Sequence, residues 1–373
     1  MMGANQSLLK LICELRPYGI EPVVLVPNSH KSEYDLRDQL DKECIPWIAT
    51  KMRKAKEGSK LHCVSNFVND QIYNRRTAKQ IHGLQIDLVH SNSSLIDLGA
   101  YIAKDKGIPH VWHFREFGDS DYGMRTPFGK WFQRVIYSGR QNNFIAISGA
   151  IKDHYLPYIS SYSRFSLIYN GVDPKRFHCE REERVDEVTH FCIVGLLHPA
   201  KGQMLALQAV KELIVGGYSD FDLTIIGSGE QPYVDELIAY ADENGISQQV
   251  SFLGLRKDVP EILKRMDVGV MASSNEAFGR TTVEYMMSGL TVVASDSGAN
   301  AELVTDMNTG LVFKSGSAKE LAGRMAFCIT NKAVAKEIAL RGIKAALSKY
   351  SSATNALKVY NYYQEILVDS NKA

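Results

Sequence analysis

The segment Glu276-Ala-Phe-Gly-Arg-Thr-Thr-Val-Glu284 sets two carboxylates eight positions apart around a glycine. It follows the apolar run Val268-Gly-Val-Met271 and the polar turn Ser273-Ser-Asn, and nothing from Thr281 to Met287 breaks a helix, so a helix is predicted to start near Gly279. Glu276 then lies in the loop before the helix and Glu284 two turns into it. The amides of Phe278, Gly279, Arg280 and Thr281 fall at a helix N-terminus, which favours a phosphate. An ionised carboxylate is acceptor-only and suits the paired hydroxyls of a ribose. The plainer reading is a helix start with an acidic cap and a solvent-facing glutamate.

Upstream, Gly195-Leu-Leu-His-Pro-Ala-Lys-Gly202 joins a predicted strand to a predicted helix. Gly195 lets a ligand approach the backbone, and Lys201 offers a cation to a diphosphate, although a solvated lysine is the commoner outcome. Gly227-Ser-Gly-Glu230 and Gly254-Leu-Arg-Lys257 put Gly227, Gly229 and Leu255 just past two further strands, on the same sheet edge. In the first half, His113 ends the apolar run His110-Val-Trp-His113; a satisfied histidine at a strand end is the bland alternative there.

These residues need a scaffold of alternating strands and helices. Strand patterns occur at Pro22–Pro27, Leu88–His90, His110–His113 and Phe144–Ile147, then at Phe191–Val194, Leu223–Ile226, Val250–Leu253, Val268–Met271 and Val292–Ala294. Helical patterns such as Gln203–Val215 and Pro232–Asn244 lie between them. The alternation predicts an α/β protein with two Rossmann-like doubly wound domains, whose strand ends would face a cleft. The turn Asn170-Gly-Val-Asp-Pro174 and the charged run Glu180–Arg184 mark the boundary, giving domains 1–173 and 174–352, with a terminal helix over about 353–373 expected to pack back on the first.

Composition excludes other classes. The 373 residues are 45% hydrophobic and 23% charged, which suits filled cores rather than disorder. Six scattered cysteines without a Cys-x-x-Cys pair read as reduced thiols. The net charge of +1 gives no sign of nucleic-acid binding, yet it hides an asymmetry: residues 1–180 hold 24 Lys/Arg against 18 Asp/Glu, and the remainder 19 against 24. The basic excess gathers in Lys51–Lys56, Arg75–Lys79 and the aromatic-rich Tyr122–Arg140, which either meets an anionic membrane surface or turns its aromatics to the core. There is no apolar run of membrane-spanning length and no apolar leader, so the expected location is cytoplasmic, at the inner face of the cell membrane if that surface is bound. Asp119-Ser-Asp121 and Asp220-Phe-Asp222 have a spacing that can hold a divalent cation, but such pairs arise by chance, and no metal site is expected.

Taken together, the ordered segments resemble the GT-B retaining glycosyltransferases of family four over nearly the whole chain. The match is carried by Glu276 and Glu284 with Phe278-Gly279, by Lys201-Gly202, by Asn170-Gly-Val-Asp173, by Gly227-Ser-Gly229, and by Ala294–Glu302 with Thr309–Val312. The resemblance implies that Glu276 faces a donor sugar, Glu284 holds the nucleotide ribose, Lys201 meets the diphosphate and His113 lies beside the transferred sugar. Gly3, Gly195, Gly227, Gly229, Leu255, Phe278, Gly279, Arg280 and Thr281 would complete the donor site. The implied activity is retaining transfer from a nucleoside diphosphate sugar, UDP-linked, to a polysaccharide, lipid-linked or other acceptor, with no cofactor besides the donor. A nucleotide-sugar binding protein without transferase activity and a sugar-nucleotide epimerase are the alternatives. The sequence departs from the family in three places. Leu196 replaces an arginine of the phosphate motif, for which Arg280 or His198 would substitute, and Thr291 replaces a proline. Met1-Met2-Gly3 begins inside the glycine loop that normally follows the first strand, so that strand is expected to be missing.

Overall fold

The computed structural model describes residues 3–28, 36–52, 60–118, 129–178 and 187–370. The chain forms two units, Met1–Gly171 together with Ser352–Ala373, and Val172–Ser351.

The first unit contains, in order, α1 (Gly3–Leu15), β1 (Val24–Pro27), α2 (Leu36–Lys42), β2 (Trp47–Thr50), α3 (Lys60–Gln80), β3 (Val89–Ser91), α4 (Leu98–Lys106), β4 (His110–Phe114), α5 (Gly129–Tyr137), β5 (Asn142–Ala146), α6 (Gly149–Tyr155) and β6 (Phe165–Leu167). The second contains α7 (Pro174–Phe177), β7 (Thr189–Val194), α8 (Gln203–Val215), β8 (Phe221–Ile226), α9 (Gln231–Glu243), β9 (Val250–Gly254), α10 (Val259–Leu263), β10 (Val268–Met271), α11 (Arg280–Met287), β11 (Thr291–Ser295), α12 (Asn300–Leu303), β12 (Leu311–Phe313), α13 (Ala318–Thr330) and α14 (Lys332–Tyr350). A final helix, α15 (Ser352–Ser370), belongs to the first unit.

The second unit is one parallel sheet in the order β12-β11-β10-β7-β8-β9. Winding reverses between β7 and β10, and open parallel sheets bind ligands outside the strand carboxyl ends at such a point. β10 and β11 are buried at every position, so apolar runs rather than alternating patterns encode them. One face is covered by Leu207, Val210 and Leu213 of α8 with Leu321 and Met325 of α13, packed on Phe191, Leu223 and Val293. On the other face α11 lies directly on β10: a Cβ at Gly269 would meet the Tyr285 ring at 2.3 Å.

In the first unit the strands form two separate parallel pieces, β2-β1 and β3-β4-β5-β6. Short capped helices fill the connections. Ser148 Oγ accepts from the Ile151 amide at 3.1 Å to start α6, and Gly107 at φ 68° ends α4. α15 lays Ala356, Val359, Tyr362, Tyr363 and Ile366 against Leu11, Leu15, Val111 and Ile145.

All nine strand patterns coincide with strands. Three further strands, β2, β6 and β12, are only three or four residues long, too short to stand out from loops. The chain leaves the first unit after Gly171 and returns at Ser352, side by side: a Cβ at Gly171 would meet Ser352 Cα at 2.6 Å, and Asn355 Nδ2 donates to Tyr169 O at 2.6 Å. The charged run Glu180–Arg184 lies outside the described residues.

Candidate active site

At the switch point of the second unit, the loop after β7 carries Gly195–Gly202 and the loop after β10 carries Ala272–Gly279. They are stitched together. Ser274 N donates to Ala200 O at 3.0 Å, and Gly202, at φ 76°, lies so close that a Cβ would stand 2.2 Å from Ala272 O. This docking brings Lys201 Nζ to 2.8 Å from Glu276 Oε2, joining side chains 75 positions apart. The lysine side chain is 36% exposed and the carboxylate 15%, so the pair sits at the rim with one end open to a ligand.

Glu276 is also fixed through its backbone. Ala299 N donates to Glu276 O at 2.8 Å, and Gly298, at φ 55°, passes so near that a Cβ would lie 2.6 Å from Glu276 N. The β11 loop is itself tied down, with Ser295 Oγ donating to Ser273 O at 2.7 Å and Ser297 Oγ to Ser274 O. The sequence motif did not single out Gly298 as part of the site, and its only signal is a glycine where the chain needs a left-handed turn.

α11 starts where the sequence predicts. Gly279 is left-handed at φ 80° and forms the N-cap, Phe278 is buried edge-on to the Tyr350 ring at 6.3 Å, and Arg280 and Thr281 open the helix. Two turns in, Glu284 is only 12% exposed and accepts from Arg280 Nε at 2.8 Å. Burial raises its carboxyl above the ordinary range, and the nearby Arg280 and Arg176 oppose that rise. Glu284 is therefore not the solvent-facing glutamate of the plainer reading.

The remaining glycines line the same strand edge. Gly195 N donates to Ile226 O at 3.0 Å and Leu197 N to Ser228 O at 2.8 Å, which packs the loops after β7 and β8 on each other. A Cβ at Gly227 would meet Gly195 O at 1.8 Å, and one at Gly229 would meet Leu197 O at 2.2 Å. Leu255 and Leu196 protrude, 68% and 54% exposed. Both candidate substitutes for the absent arginine are engaged: His198 Nδ1 accepts from Ala200 N at 3.2 Å, and Arg280 pairs with Glu284.

In the first unit, the His113 ring is fully buried on β4. Tyr363 OH lies 2.6 Å from His90 Nδ1, and His90 Nε2 lies 3.2 Å from His113 Nδ1, which also faces Arg115 Nη2 at 3.3 Å. An arginine only donates, so His113 Nδ1 accepts and its Nε2 carries the proton; that buried Nε2 has no partner among the described residues. Burial first, and the Arg115 charge second, hold the His113 pKa well below 6.5 and that of His90 at about 3. Arg115 continues to Asn92 and Asn170, and Glu116 Oε1 accepts from Ser93 Oγ and the Ser94 amide at 2.8 and 2.7 Å. Gly3 is the first residue of α1, in the first unit.

Asp220 and Asp222 lie at the amino end of β8, opposite the glycine edge, and Asp222 Oδ2 sits 2.6 Å from His190 Nδ1. Asp119 and Asp121 lie outside the described residues, as do 53–59 and Tyr122–Phe128 of the basic stretches. Among the described residues no three His, Cys, Asp or Glu side chains gather to hold a metal, and no helix is long and apolar enough to cross a membrane.

Two parallel α/β units, the second with its ligand edge built from glycine loops and a Lys–Glu pair, define the GT-B class of glycosyltransferases. The chain belongs to the group 1 glycosyl transferases: that family model matches residues 175–345, and the model of glycosyltransferase family 4 matches residues 1–176. The protein is therefore a glycosyltransferase enzyme. It is 34% identical over 257 residues to the lipopolysaccharide core biosynthesis mannosyltransferase LpcC of Rhizobium leguminosarum bv. viciae, covering 63% of this chain and 67% of that one. It is 24% identical over 344 residues to the UDP-Gal:alpha-D-GlcNAc-diphosphoundecaprenol alpha-1,3-galactosyltransferase of Escherichia coli, covering 83% of each. Among solved structures, Anabaena HepE in complex with UDP and glucose has the same fold, with a TM-score of 0.76 at 22% identity over 97% of this chain and 96% of the other.

Proposed function

We propose that the enzyme moves a hexosyl group from a UDP-linked sugar to a hydroxyl of a growing glycan or lipid-linked acceptor, with retention of anomeric configuration. The observation that carries this reading is the Lys201–Glu276 pair at the switch point, beside the start of α11. As the bond between the sugar and the diphosphate breaks, negative charge grows on the leaving phosphate. Lys201 and the positive end of α11 are placed to meet it, and such preorganised charge is worth more in a shielded site than in water. Glu276, fixed by its backbone, faces the sugar as an acceptor of its hydroxyl protons. Glu284, buried and paired to Arg280, takes the ribose hydroxyls. His113 enters as a positioning group behind Arg115, since its own ring is enclosed. Retention follows if the acceptor hydroxyl attacks from the face the diphosphate leaves, passing its proton to the departing phosphate oxygen.

UDP as the carrier is supported by the complex of the HepE neighbour with UDP and by the UDP-Gal named for the galactosyltransferase relative. A lipid-linked or anionic acceptor is supported by the first unit itself. Along α5 the outward residues are Trp131, Arg134 and Val135, with Trp131 70% and Val135 48% exposed, while Gln133 and Tyr137 are buried. An outward tryptophan and valine flanked by Arg134 and Arg140 suit an anionic membrane surface.

The test is product analysis on a panel of nucleotide sugars. Release of UDP with the sugar joined to an acceptor, reduced about 100-fold or more in Glu276→Ala, is the expected result. Donor that binds normally but stays intact would sink the transferase reading, and a changed sugar still attached to its nucleotide would mark an epimerase.

A further inference from the structure

His90 on β3 and His113 on β4 point to the same face of the sheet. The register sets His90 opposite Val111, and alternate residues of a strand share a face, so His90, Val111 and His113 lie on one side. α15 covers that side, packing Val359 and Tyr363 with Val111. Tyr363 OH thus comes to 2.6 Å from His90 Nδ1, joining residues 273 positions apart. The rings meet edge-on, with centroids 5.8 Å apart for Tyr363 and His90 and 5.2 Å for His90 and His113.

One fixed charge sets every proton along this chain of rings. Arg115 only donates, so the His113 Nδ1 it faces at 3.3 Å is bare. His90 Nε2 faces the same lone pair at 3.2 Å, and two bare nitrogens would repel, so His90 Nε2 carries a proton. Burial first, and the Arg115 charge second, keep both rings neutral, and a neutral imidazole has one proton. His90 Nδ1 is therefore bare and accepts from Tyr363 OH, which burial keeps protonated. The hydrogens run in one direction, from Tyr363 to His90 to His113. The His113 proton is left on Nε2, which is enclosed and has no partner among the described residues.

We propose that Tyr363 and His90 are positioning residues of the transfer site, a hydrogen-bond relay from α15 that fixes His113 as a neutral Nε2–H donor. The proposal rests on the reading of His113 as part of that site. In this form His113 takes no proton from the acceptor hydroxyl, which leaves the departing phosphate oxygen to receive it. Arg115 carries the same setting further, since it also bonds Asn92 just past β3 and Asn170 beyond β6. The tautomer of an imidazole is set by what its other nitrogen meets, so the docking of α15 reaches the site through His90.

The test reads the ring nitrogens of the histidines by NMR in the full chain, alongside UDP release from the nucleotide sugar that is turned over. In the unaltered protein both rings are expected to show a protonated Nε2 and a bare Nδ1. Tyr363→Phe removes one hydroxyl and should give His90 a mixed tautomer, with kcat lowered about tenfold and KM for the donor within about twofold. His90→Leu should loosen the His113 tautomer and lower kcat likewise. His90→Gln, whose amide still accepts from Tyr363 and donates to His113, should recover most of the rate. A His113 protonated on Nδ1 would overturn the proposal, as would unchanged nitrogen signals and kcat in both Tyr363→Phe and His90→Leu. The nitrogen signals are read without substrate, so failure of the transferase reading would leave them in place, whereas failure of the relay would not.

Discussion

Glu276 is held by a lysine from one loop and by the backbone of another, so the site's geometry depends on glycines that carry no chemistry. Gly202→Ala forces a left-handed residue and a Cβ 2.2 Å from Ala272 O. The expected loss is more than about 1 kcal/mol in urea unfolding, with weaker UDP binding in titration calorimetry because Lys201 is displaced with the loop. Lys201→Ala leaves the fold intact, as its side chain is 36% exposed. It should lower transfer about 100-fold, with Lys201→Arg recovering part of it in the same UDP-release assay. Comparable rates in all three proteins would show that Lys201 does not meet the diphosphate. The types and spacing of Glu276, Gly279 and Glu284 were legible in the sequence because all three belong to one helix start. The Lys201–Glu276 contact was not, because only the parallel neighbourhood of β7 and β10 brings the two loops together.

At the scale of elements, α15 fastens the end of the chain to the first unit through one hydroxyl. Tyr362 OH accepts from Phe144 N at 3.2 Å and lies 3.0 Å from Phe144 O and 3.1 Å from Arg164 O. Burial pushes its pKa up to about 12, so it stays a donor across the working pH range. Tyr362→Phe removes the hydroxyl's bonds to these backbone groups, although Phe144 N keeps its 2.9 Å bond to Arg164 O, and should cost about 1 kcal/mol, read as a lower urea midpoint with an unchanged slope. Arg164 also pairs with Glu365 at 3.3 Å and with Asp369, but these side chains are 41–60% exposed, so removing the pairs should cost less than removing the hydroxyl. The helical pattern of this segment was plain in the sequence. Its docking face of Tyr362, Tyr363 and Ile366 acquired a meaning only once β4 and β5 were placed beneath it.

At the scale of the whole molecule the two units differ in charge and in their response to acid. Unit one holds 24 Lys/Arg against 18 Asp/Glu and unit two 19 against 24. Salt-dependent sedimentation with anionic but not neutral vesicles, lost in Trp131→Ser, is the expected signature of the basic unit. Binding that ignores salt and lipid charge would remove the membrane from the picture. Unit one also contains His90 and His110, held by burial at about 3 and about 4, and His113, held lower than 6.5 as well. On unfolding, each regains a pKa near 6.5 and takes up a proton that the native state refuses. Their stabilisation is therefore complete above about pH 6.5 and falls as the pH drops toward 4 and 3, by about 1.4 kcal/mol per pH unit for each histidine. All three tryptophans, Trp47, Trp112 and Trp131, lie in the same unit, so urea midpoints followed by tryptophan emission should be lower at pH 5 than at pH 7. An unchanged midpoint would mean that these rings charge freely in the folded state.

The sequence by itself determined the layered class of the fold, the strand edge on which the glycine loops gather, and the residue types of the candidate site. These follow from local properties: apolar runs that must be buried on both faces, glycines at strand ends, and a helix start flanked by carboxylates. Only the tertiary structure decided that Glu284 is buried against Arg280, that His113 is enclosed beside Arg115, and that Trp131 points outward. Each of these depends on which distant segments become neighbours, and no local pattern carries that information.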